Sequence, residues 1–262
     1  MIEEHVREEI LQRLQRTEKE HGVRILMAIE SGSRAWGFAS PNSDYDVRFI
    51  YAREKDWYLS VDLEDRRDVI EYPIVDDIDL NGWDVRKALK LFWKSNPAFV
   101  EWIQSPITYI NQGDFRDVAS QLLPSVYSVE KGIYHYRSMA KTNYRGYLQS
   151  DKVPLKKYLY VLRALLSIRW LEQYGTVAPI EFDKVLTLVT DPTLLEAIHA
   201  LLTKKKVSEE KMLEPAIPVL NAFIESELAR LENITLARSD RTGEMAALNA
   251  LFLQVLNTQA EE

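Results

Sequence analysis

The stretch GSRAWGFASPNSDYDVRFIY, residues 32–51, joins a turn of small residues to a segment that carries acidic side chains. In DYDVRFIY (44–51) polar residues alternate with Tyr, Val, Phe and Ile, which predicts a β-strand. Because alternate strand residues point to the same face, Asp44 and Asp46 are expected to project together, roughly 7 Å apart. Two carboxylates this close repel each other unless a cation or a proton lies between them. The stretch therefore predicts a cation-binding strand next to a turn.

The turn itself has features that suit an anion. RILMAIE (24–30) has the length and the flanks of a buried strand, and the Gly-Ser pair at 32–33 follows one residue later. Glycine allows the backbone to approach a phosphate closely, and the start of a short helix offers N–H groups to an anion. Ser33 adds a hydroxyl donor. Arg34 is either a phosphate ligand, through its planar guanidinium, or a solvated arginine at a helix start.

A third acidic segment, DDIDL (76–80), is predicted to form another strand, with Asn81-Gly82 marking its end. Asp77 and Asp79 share one face of it, and either would complete a set of three carboxylates. Apolar neighbours on both sides favour Asp79. Such a set fits a hard cation such as Mg²⁺, or alternatively Mn²⁺, which takes oxygen ligands and leaves room for phosphate. An isolated Asp-x-Asp, in contrast, is more commonly an exposed turn and strand edge.

Strand-like segments are confined to the first part of the chain. An amphipathic helix is predicted over residues 2–20, and a further strand over 68–74. Beyond residue 113 we find only helical patterns, at 114–148, 155–174, 192–203, 207–231 and 242–258. This distribution predicts an α+β protein with a mixed sheet and flanking helices in residues 1–112 and an all-α helical bundle in residues 113–262.

The bulk composition excludes several classes of protein. The 262 residues include no cysteine, which excludes disulfide scaffolds, thiolate metal sites and cysteine nucleophiles. No apolar centre of a signal peptide occurs, and no apolar run approaches the ~20 residues of a membrane span, so we expect a cytoplasmic protein. The formal net charge of −7 argues against a broadly basic nucleic-acid surface. A bound metal would supply the positive charge that an anionic substrate needs.

The order strand, Gly-Ser, short helix, Asp-x-Asp strand and later Asp strand resembles the polymerase-β-type nucleotidyltransferase superfamily. The wording GSRAWGF…SPNSDYDVRFIY, and more weakly KKYLYVLRALLSIRWLEQYG (156–175), resembles its RNA-repair-pathway nucleotidyltransferases of bacteria and phages. The resemblance implies transfer of a nucleoside monophosphate from an NTP to a hydroxyl or phosphate acceptor, with release of pyrophosphate. An RNA end is the acceptor that the family name indicates. The alternatives are a small-molecule or protein acceptor, or a non-catalytic, antitoxin-like interaction protein.

The resemblance also implies roles for individual residues. The predicted catalytic and metal-binding residues are Asp44, Asp46 and Asp79: the pair Asp44 and Asp46 would hold two metal ions, and Asp79 would help to deprotonate the acceptor. The predicted nucleotide-binding residues are Gly32, Ser33, Arg34, Ser43, Lys157, Tyr160 and Arg163. The last three recur, with Ser167, at three- and four-residue intervals, which places them on one helix face. Without the resemblance, an ordinary amphipathic surface is the more common interpretation of that stripe.

Three further features of the sequence bear on the predicted site. Arg48 continues the face of the acidic pair, and a structural ion pair that offsets their charge is slightly favoured for it. HYRSMAKTNYR (135–145) combines aromatic and basic residues at helical spacing and is a candidate nucleotide- or RNA-facing patch. The tryptophans are predicted to lie in the core. Trp36 is the exception, because it lies in the turn beside Gly32.

Overall fold

A five-stranded mixed sheet forms the amino-terminal half of the chain in the computed structural model, which describes residues 2–207, 213–232, 234 and 242–258. The strands are β1 (Arg24–Glu30), β2 (Tyr45–Ala52), β3 (Val69–Glu71), β4 (Ile78–Asp84) and β5 (Thr108–Asn111). Their spatial order is β3-β4-β2-β1-β5. The central pair β2 and β4 is parallel, and the other pairs are antiparallel. The mixed sheet of the predicted α+β class is confirmed.

Helices flank this sheet and make up most of the remaining described residues. They are α1 (Glu4–His21), α2 (Gly32–Trp36), α3 (Lys55–Tyr58), α4 (Val85–Trp93), α5 (Pro97–Gln104), α6 (Phe115–Val126), α7 (Val129–Tyr147), α8 (Leu155–Tyr174), α9 (Phe182–Leu186), α10 (Pro192–Val207), α11 (Pro218–Glu232) and α12 (Met245–Asn257). None of the helices in these described ranges is both long and apolar enough to cross a membrane.

The boundaries of β4 differ from the prediction of a strand over 76–80. Asp76 and Asp77 have φ values of 53° and 59°, so they form a left-handed turn that precedes the strand. The strand then continues through the Asn-Gly pair that was predicted to end it. Gly82 is required there for packing, because a Cβ at this position would lie 2.1 Å from Cε2 of Phe49 on the neighbouring strand.

The helical half also departs from its prediction in three places. The predicted helix 114–148 is two helices, because Ser128 starts α7 by accepting a hydrogen bond from the Lys131 N–H. A small two-stranded sheet joins β6 (Lys152–Pro154) to β7 (Leu213–Pro215), so this half is not purely helical. Strands this short leave no periodic signal in the sequence, and the same holds for the missed β5. Within the predicted helix 207–231, residues 213–215 form β7 and the helix α11 begins only at Pro218, while residues 208–212 lie outside the described residues.

Two apolar cores lie on opposite faces of the sheet, and a third lies in the helical half. Buried residues of α1 cover one face of the sheet. The other face packs against α4 and α5, and also against α6 and α12. The predicted unit 113–262 therefore contributes helices to the core of the sheet half. The helical core surrounds α8, which is buried on nearly every side between Tyr158 and Ile168.

Replacing Gly82 by alanine is expected to destabilise the fold by about 1–3 kcal/mol, because the new methyl group overpacks against the fully buried Phe49 ring. Gly146 in α7 is the matched control, since a Cβ there meets nothing within 4 Å. Gly146→Ala is expected to be neutral or to stabilise by up to about 1 kcal/mol. Urea denaturation measures both variants. Equal stability of Gly82→Ala and the wild type would contradict the packing described for β2 and β4.

Candidate active site

The Gly-Ser turn packs directly against the carboxylate of Asp46. Gly32 has a φ of 58°, and a Cβ at this position would lie 1.9 Å from Asp46 Oδ2. The N–H of Ser31 donates to the backbone carbonyl of Asp46 at 2.8 Å. Both the left-handed conformation and the close approach therefore require glycine at position 32. The turn and the acidic strand form one local unit.

Asp46 and Asp79 are direct neighbours on the parallel strands β2 and β4. Arg48 joins their side chains, because its Nη2 donates to Asp46 Oδ1 at 3.1 Å and to Asp79 Oδ2 at 2.6 Å. Its Nη1 donates to the backbone carbonyl of Asp79 at 2.8 Å. All three side chains are between 18% and 27% exposed. The guanidinium thus offsets part of the charge of two carboxylates that would otherwise repel each other, as the favoured interpretation of Arg48 predicted.

Asp44 and Asp77 lie outside the two strands. Asp44 is partly exposed and precedes β2 by one residue, whereas Asp77 is exposed in the turn before β4 and accepts the Tyr45 N–H through its backbone carbonyl. Of the two candidates for a third acid, Asp79 is therefore the one beside Asp46. In the part of the chain that the structure describes, no group of three or more His, Asp or Glu side chains is arranged to hold a metal.

The donor chemistry of this region nevertheless fits a hard divalent cation. Carboxylate oxygens are the ligands that Mg²⁺ and Mn²⁺ prefer, and two of them already face each other on adjacent strands. The absence of a side chain at Gly32 lets the carboxylate of Asp46 lie directly against the backbone of the turn. Arg48 provides the positive charge in the arrangement described here.

Glu30 is a buried carboxyl at this site that the sequence analysis missed. Its Oε1 accepts the Asp46 N–H at 2.9 Å, and its Oε2 accepts the Tyr109 hydroxyl at 2.6 Å. The residue is fully buried, and this burial raises the pKa of the Glu30 carboxyl to about 7, despite the two hydrogen bonds. The sequence feature that could have identified Glu30 is its position as an acidic residue at the end of the otherwise apolar strand RILMAIE.

Arg34 and Ser43 hold the loop that leads into Asp44. Arg34 Nη2 donates to the backbone carbonyl of Ser43 at 2.6 Å, and its Nε donates to that of Asp44 at 3.2 Å. The guanidinium also lies over the ring of Tyr45, 3.9 Å from its centroid. Arg34 is therefore not the solvated arginine of the alternative interpretation. Ser33 lies in the first turn of α2 and is 7% exposed.

Trp36, at the end of α2, connects the turn to the helical half. Its Nε1 donates to Glu101 Oε2 at 3.1 Å, and its ring packs edge-on against Tyr160 with the centroids 5.1 Å apart. Glu101 is also bound by Arg163 at 2.7 Å and by the hydroxyl of Tyr136 at 3.1 Å. A buried ion pair thus lies behind the predicted phosphate-binding turn.

The predicted polar stripe on α8 is not a surface stripe. Arg163 and Ser167 are 3% and 0% exposed, because α8 is the central helix and directs these side chains inward. The position of Arg163 supports a structural ion pair, and its predicted nucleotide contact has no support from that position. Lys157 lies 4.1 Å and 5.2 Å from the ring centroids of Tyr147 and Tyr160. Burial and the neighbouring Lys156 lower the pKa of Lys157. Lys157 and Tyr160 remain predicted nucleotide ligands.

The predicted patch 135–145 is divided between the core and the groove against α11. Tyr136 is 2% exposed and belongs to the core. Arg137 donates to the backbone carbonyl of Leu231, and Lys141 lies 3.4 Å from a carboxylate oxygen of Glu232. The basic side chains on this part of α7 therefore make contacts with α11.

The comparisons with known proteins agree over nearly the whole chain. Residues 6–254 match the RNA repair pathway DNA polymerase beta family. The Bacillus subtilis (strain 168) protein named "Uncharacterized protein YcgL" is 42% identical over 256 residues, which is 96% of each chain. A solved nucleotidyltransferase-like protein from Exiguobacterium sibiricum 255-15 is 12% identical, with a TM-score of 0.31 and coverage of 94% of this chain and 89% of that one. A structural likeness of that size carries no argument.

Replacing Arg48 by methionine is expected to destabilise the protein by about 1–2 kcal/mol in metal-free buffer, because two neighbouring carboxylates lose their shared partner. The matched control is Arg67→Met, which removes an exposed ion pair with Glu71 and should change stability by no more than about 0.5 kcal/mol. Urea denaturation of both variants tests the difference. Indistinguishable effects would show that Arg48 does not relieve carboxylate repulsion.

Glu30 is expected to make stability fall as the pH rises. Its pKa in the folded protein, about 7, lies above the ordinary value of 4.5, so the folded state binds the proton more tightly. The free energy of unfolding should therefore decrease between about pH 4.5 and pH 7, by up to about 3 kcal/mol from this group. Glu30→Gln keeps an acceptor for the Asp46 N–H and does not titrate.

The measurement is urea denaturation of wild type and Glu30→Gln in EDTA, at pH 5 and at pH 8. The variant should gain stability relative to the wild type by about 2–3 kcal/mol on going from the lower to the higher pH. A difference between the two proteins that is the same at both pH values would refute the assignment of this titration to Glu30.

Proposed function

The chain belongs to the RNA repair pathway DNA polymerase beta family, and we propose that it is a metal-dependent nucleotidyltransferase. It would transfer a nucleoside monophosphate from an NTP to a hydroxyl or phosphate acceptor and release pyrophosphate. The single observation that carries this proposal is the placement of Asp46 between Asp79 and the Gly32 turn. Acidic side chains on neighbouring strands beside a glycine turn suit phosphoryl-type transfer, which depends on positioning and on neutralising charge.

The proposed cation ligands are Asp44, Asp46 and Asp79, with Mg²⁺ as the cofactor and Mn²⁺ as a substitute. The bound cation would supply positive charge to the reacting phosphate oxygens. Asp46 contributes from β2 and Asp79 from β4, so a rigid pair of strands fixes their separation. Asp44, one residue before β2, would complete the set. Arg48 would share the charge of these carboxylates before the cation binds.

The turn would hold the triphosphate. Gly32 and Ser33 begin α2, and the first backbone N–H groups of a helix, which lack intrahelical acceptors, would donate to the phosphates. The hydroxyl of Ser33 would add a donor. Asp79 is the proposed base for the acceptor: Arg48 donates to its Oδ2, and we assign the acceptor proton to Oδ1. Lys157 and Tyr160 would contribute from the helical half, next to Trp36.

We propose an RNA end as the acceptor, on the strength of the family's description. The net charge of −7 means that RNA contacts would be local. A small molecule or a protein side chain is the competing acceptor class within the same reaction. An antitoxin-like protein that binds nucleotide without turnover is the competing non-catalytic function.

The test incubates the protein and Mg²⁺ with α-labelled ATP, GTP, CTP or UTP and with RNA, a protein extract or a metabolite extract. We expect transfer of label to RNA and stoichiometric release of pyrophosphate. Asp46→Asn should abolish both, and Asp79→Asn should reduce the rate by about 100-fold or more. The matched control is Asp77→Asn, which changes an exposed acid in a left-handed turn that asparagine tolerates.

Each result separates the competing functions. Label on protein or on a metabolite would contradict the RNA acceptor and keep the reaction class. Nucleotide binding without pyrophosphate release, in every acceptor mixture, would contradict catalysis. Loss of transfer in Asp77→Asn with activity retained in Asp79→Asn would show that the third acid is Asp77.

A further inference from the structure

A buried lysine of the helical half contacts the loop that precedes Asp44. Lys205 lies in the last turn of α10, 165 positions from the loop in sequence, and is only 2% exposed. Its Nζ donates to Ser40 Oγ at 3.0 Å. Fully buried lysines are rare because the ammonium group loses its hydration. The hydrogen bond from Lys205 to Ser40 is therefore expected to have a structural or functional role.

The loop that Lys205 contacts is a tight turn closed by serines. The Ser43 N–H donates to the backbone carbonyl of Ser40 at 3.0 Å, and the Ser40 N–H donates to Ser43 Oγ at 3.0 Å. The two hydroxyl oxygens lie 3.1 Å apart, and the two serines are 3% and 2% exposed. Lys205 therefore adds a donor to a turn whose polar groups are already hydrogen-bonded to one another.

This turn determines where the acidic strand begins. Ser43 is the residue immediately before Asp44, and Arg34 donates to the backbone carbonyls of both. The loop is thus held by a cation from α2 on one side and by a cation from α10 on the other. Asp44 directly precedes β2, which starts at Tyr45. The turn before it therefore contributes to the direction in which the chain enters the strand.

We propose that Lys205 is a positioning residue, which acts through Ser40 and Ser43 to direct Asp44 toward the divalent cation. The inference rests on the proposed function, because it assigns Asp44 to a cation site. Under this proposal the helical half contributes to cation binding through α10 and not through the side chains of α8. A lysine needed only for packing would be replaceable by a side chain of similar length and no charge.

The experiment measures Mn²⁺ binding by the electron paramagnetic resonance signal of free Mn²⁺, at 25 °C with a non-hydrolysable ATP analogue. Lys205→Met and Ser40→Ala should each weaken Mn²⁺ binding by about tenfold, as loss of partners that orient metal ligands commonly does. The double variant should bind about as weakly as the weaker of the two single variants, since both changes remove the hydrogen bond between Lys205 and Ser40. Lys204→Met is the matched control: its ammonium pairs with Glu214, and its Mn²⁺ affinity should equal that of the wild type.

Wild-type Mn²⁺ affinity in both Lys205→Met and Ser40→Ala would overturn the proposal. Thermal melting identifies variants that do not fold, and if Lys205→Met is one of them, Ser40→Ala decides alone. Pyrophosphate release gives a second readout, in which a positioning role raises the Mn²⁺ concentration for half-maximal rate more than it lowers the maximal rate. A wild type that neither binds Mn²⁺ nor releases pyrophosphate refutes the proposed function itself, and this inference with it.

Discussion

The mutual repulsion of Asp46 and Asp79 is the constraint on which the rest of the site depends. Parallel pairing of β2 and β4 places the two residues side by side, at the same level of the sheet. Arg48 offsets this repulsion and donates three hydrogen bonds to the two aspartates. The protein thus keeps two adjacent carboxylates on a rigid scaffold, at the cost of binding one guanidinium between them. A divalent cation would offset the same repulsion with a greater positive charge.

Residues of three other elements, α2, β1 and α10, contact the segments around this pair. The Gly32 turn packs against Asp46 at the start of α2. At the end of the same helix, Trp36 donates to Glu101, which forms a buried ion pair with Arg163. The buried carboxyl of Glu30 supports the Asp46 backbone from β1. Lys205 reaches the turn before Asp44 from α10. The two halves of the chain therefore meet at the acidic strands, where charged and aromatic side chains join them.

The sequence predicted the parts of this site that rest on local pattern. Alternation located β2, and apolar neighbours distinguished Asp79 from Asp77, whose position in a left-handed turn is set by the chain reversal before β4. Long-range contacts had no such signal. Glu30 is a single acid at the end of an apolar run and Lys205 is the middle residue of three consecutive lysines, and only the fold buries them. The inward direction of Arg163 had no signal either, because helical spacing alone does not tell an outward polar face from an inward one. The Asn-Gly pair of β4 was misjudged because the ring of Phe49 outweighs turn propensity.

The most direct test of the central claim is the anomalous scattering of Mn²⁺ in crystals grown with a non-hydrolysable NTP analogue. The account predicts a Mn²⁺ peak at about 2.1–2.3 Å from carboxylate oxygens of Asp44 and Asp46, with the triphosphate against the Gly32 turn and Arg48 withdrawn from Asp46. A structure in which Arg48 still bridges Asp46 and Asp79, with nucleotide and Mn²⁺ bound elsewhere, would contradict it.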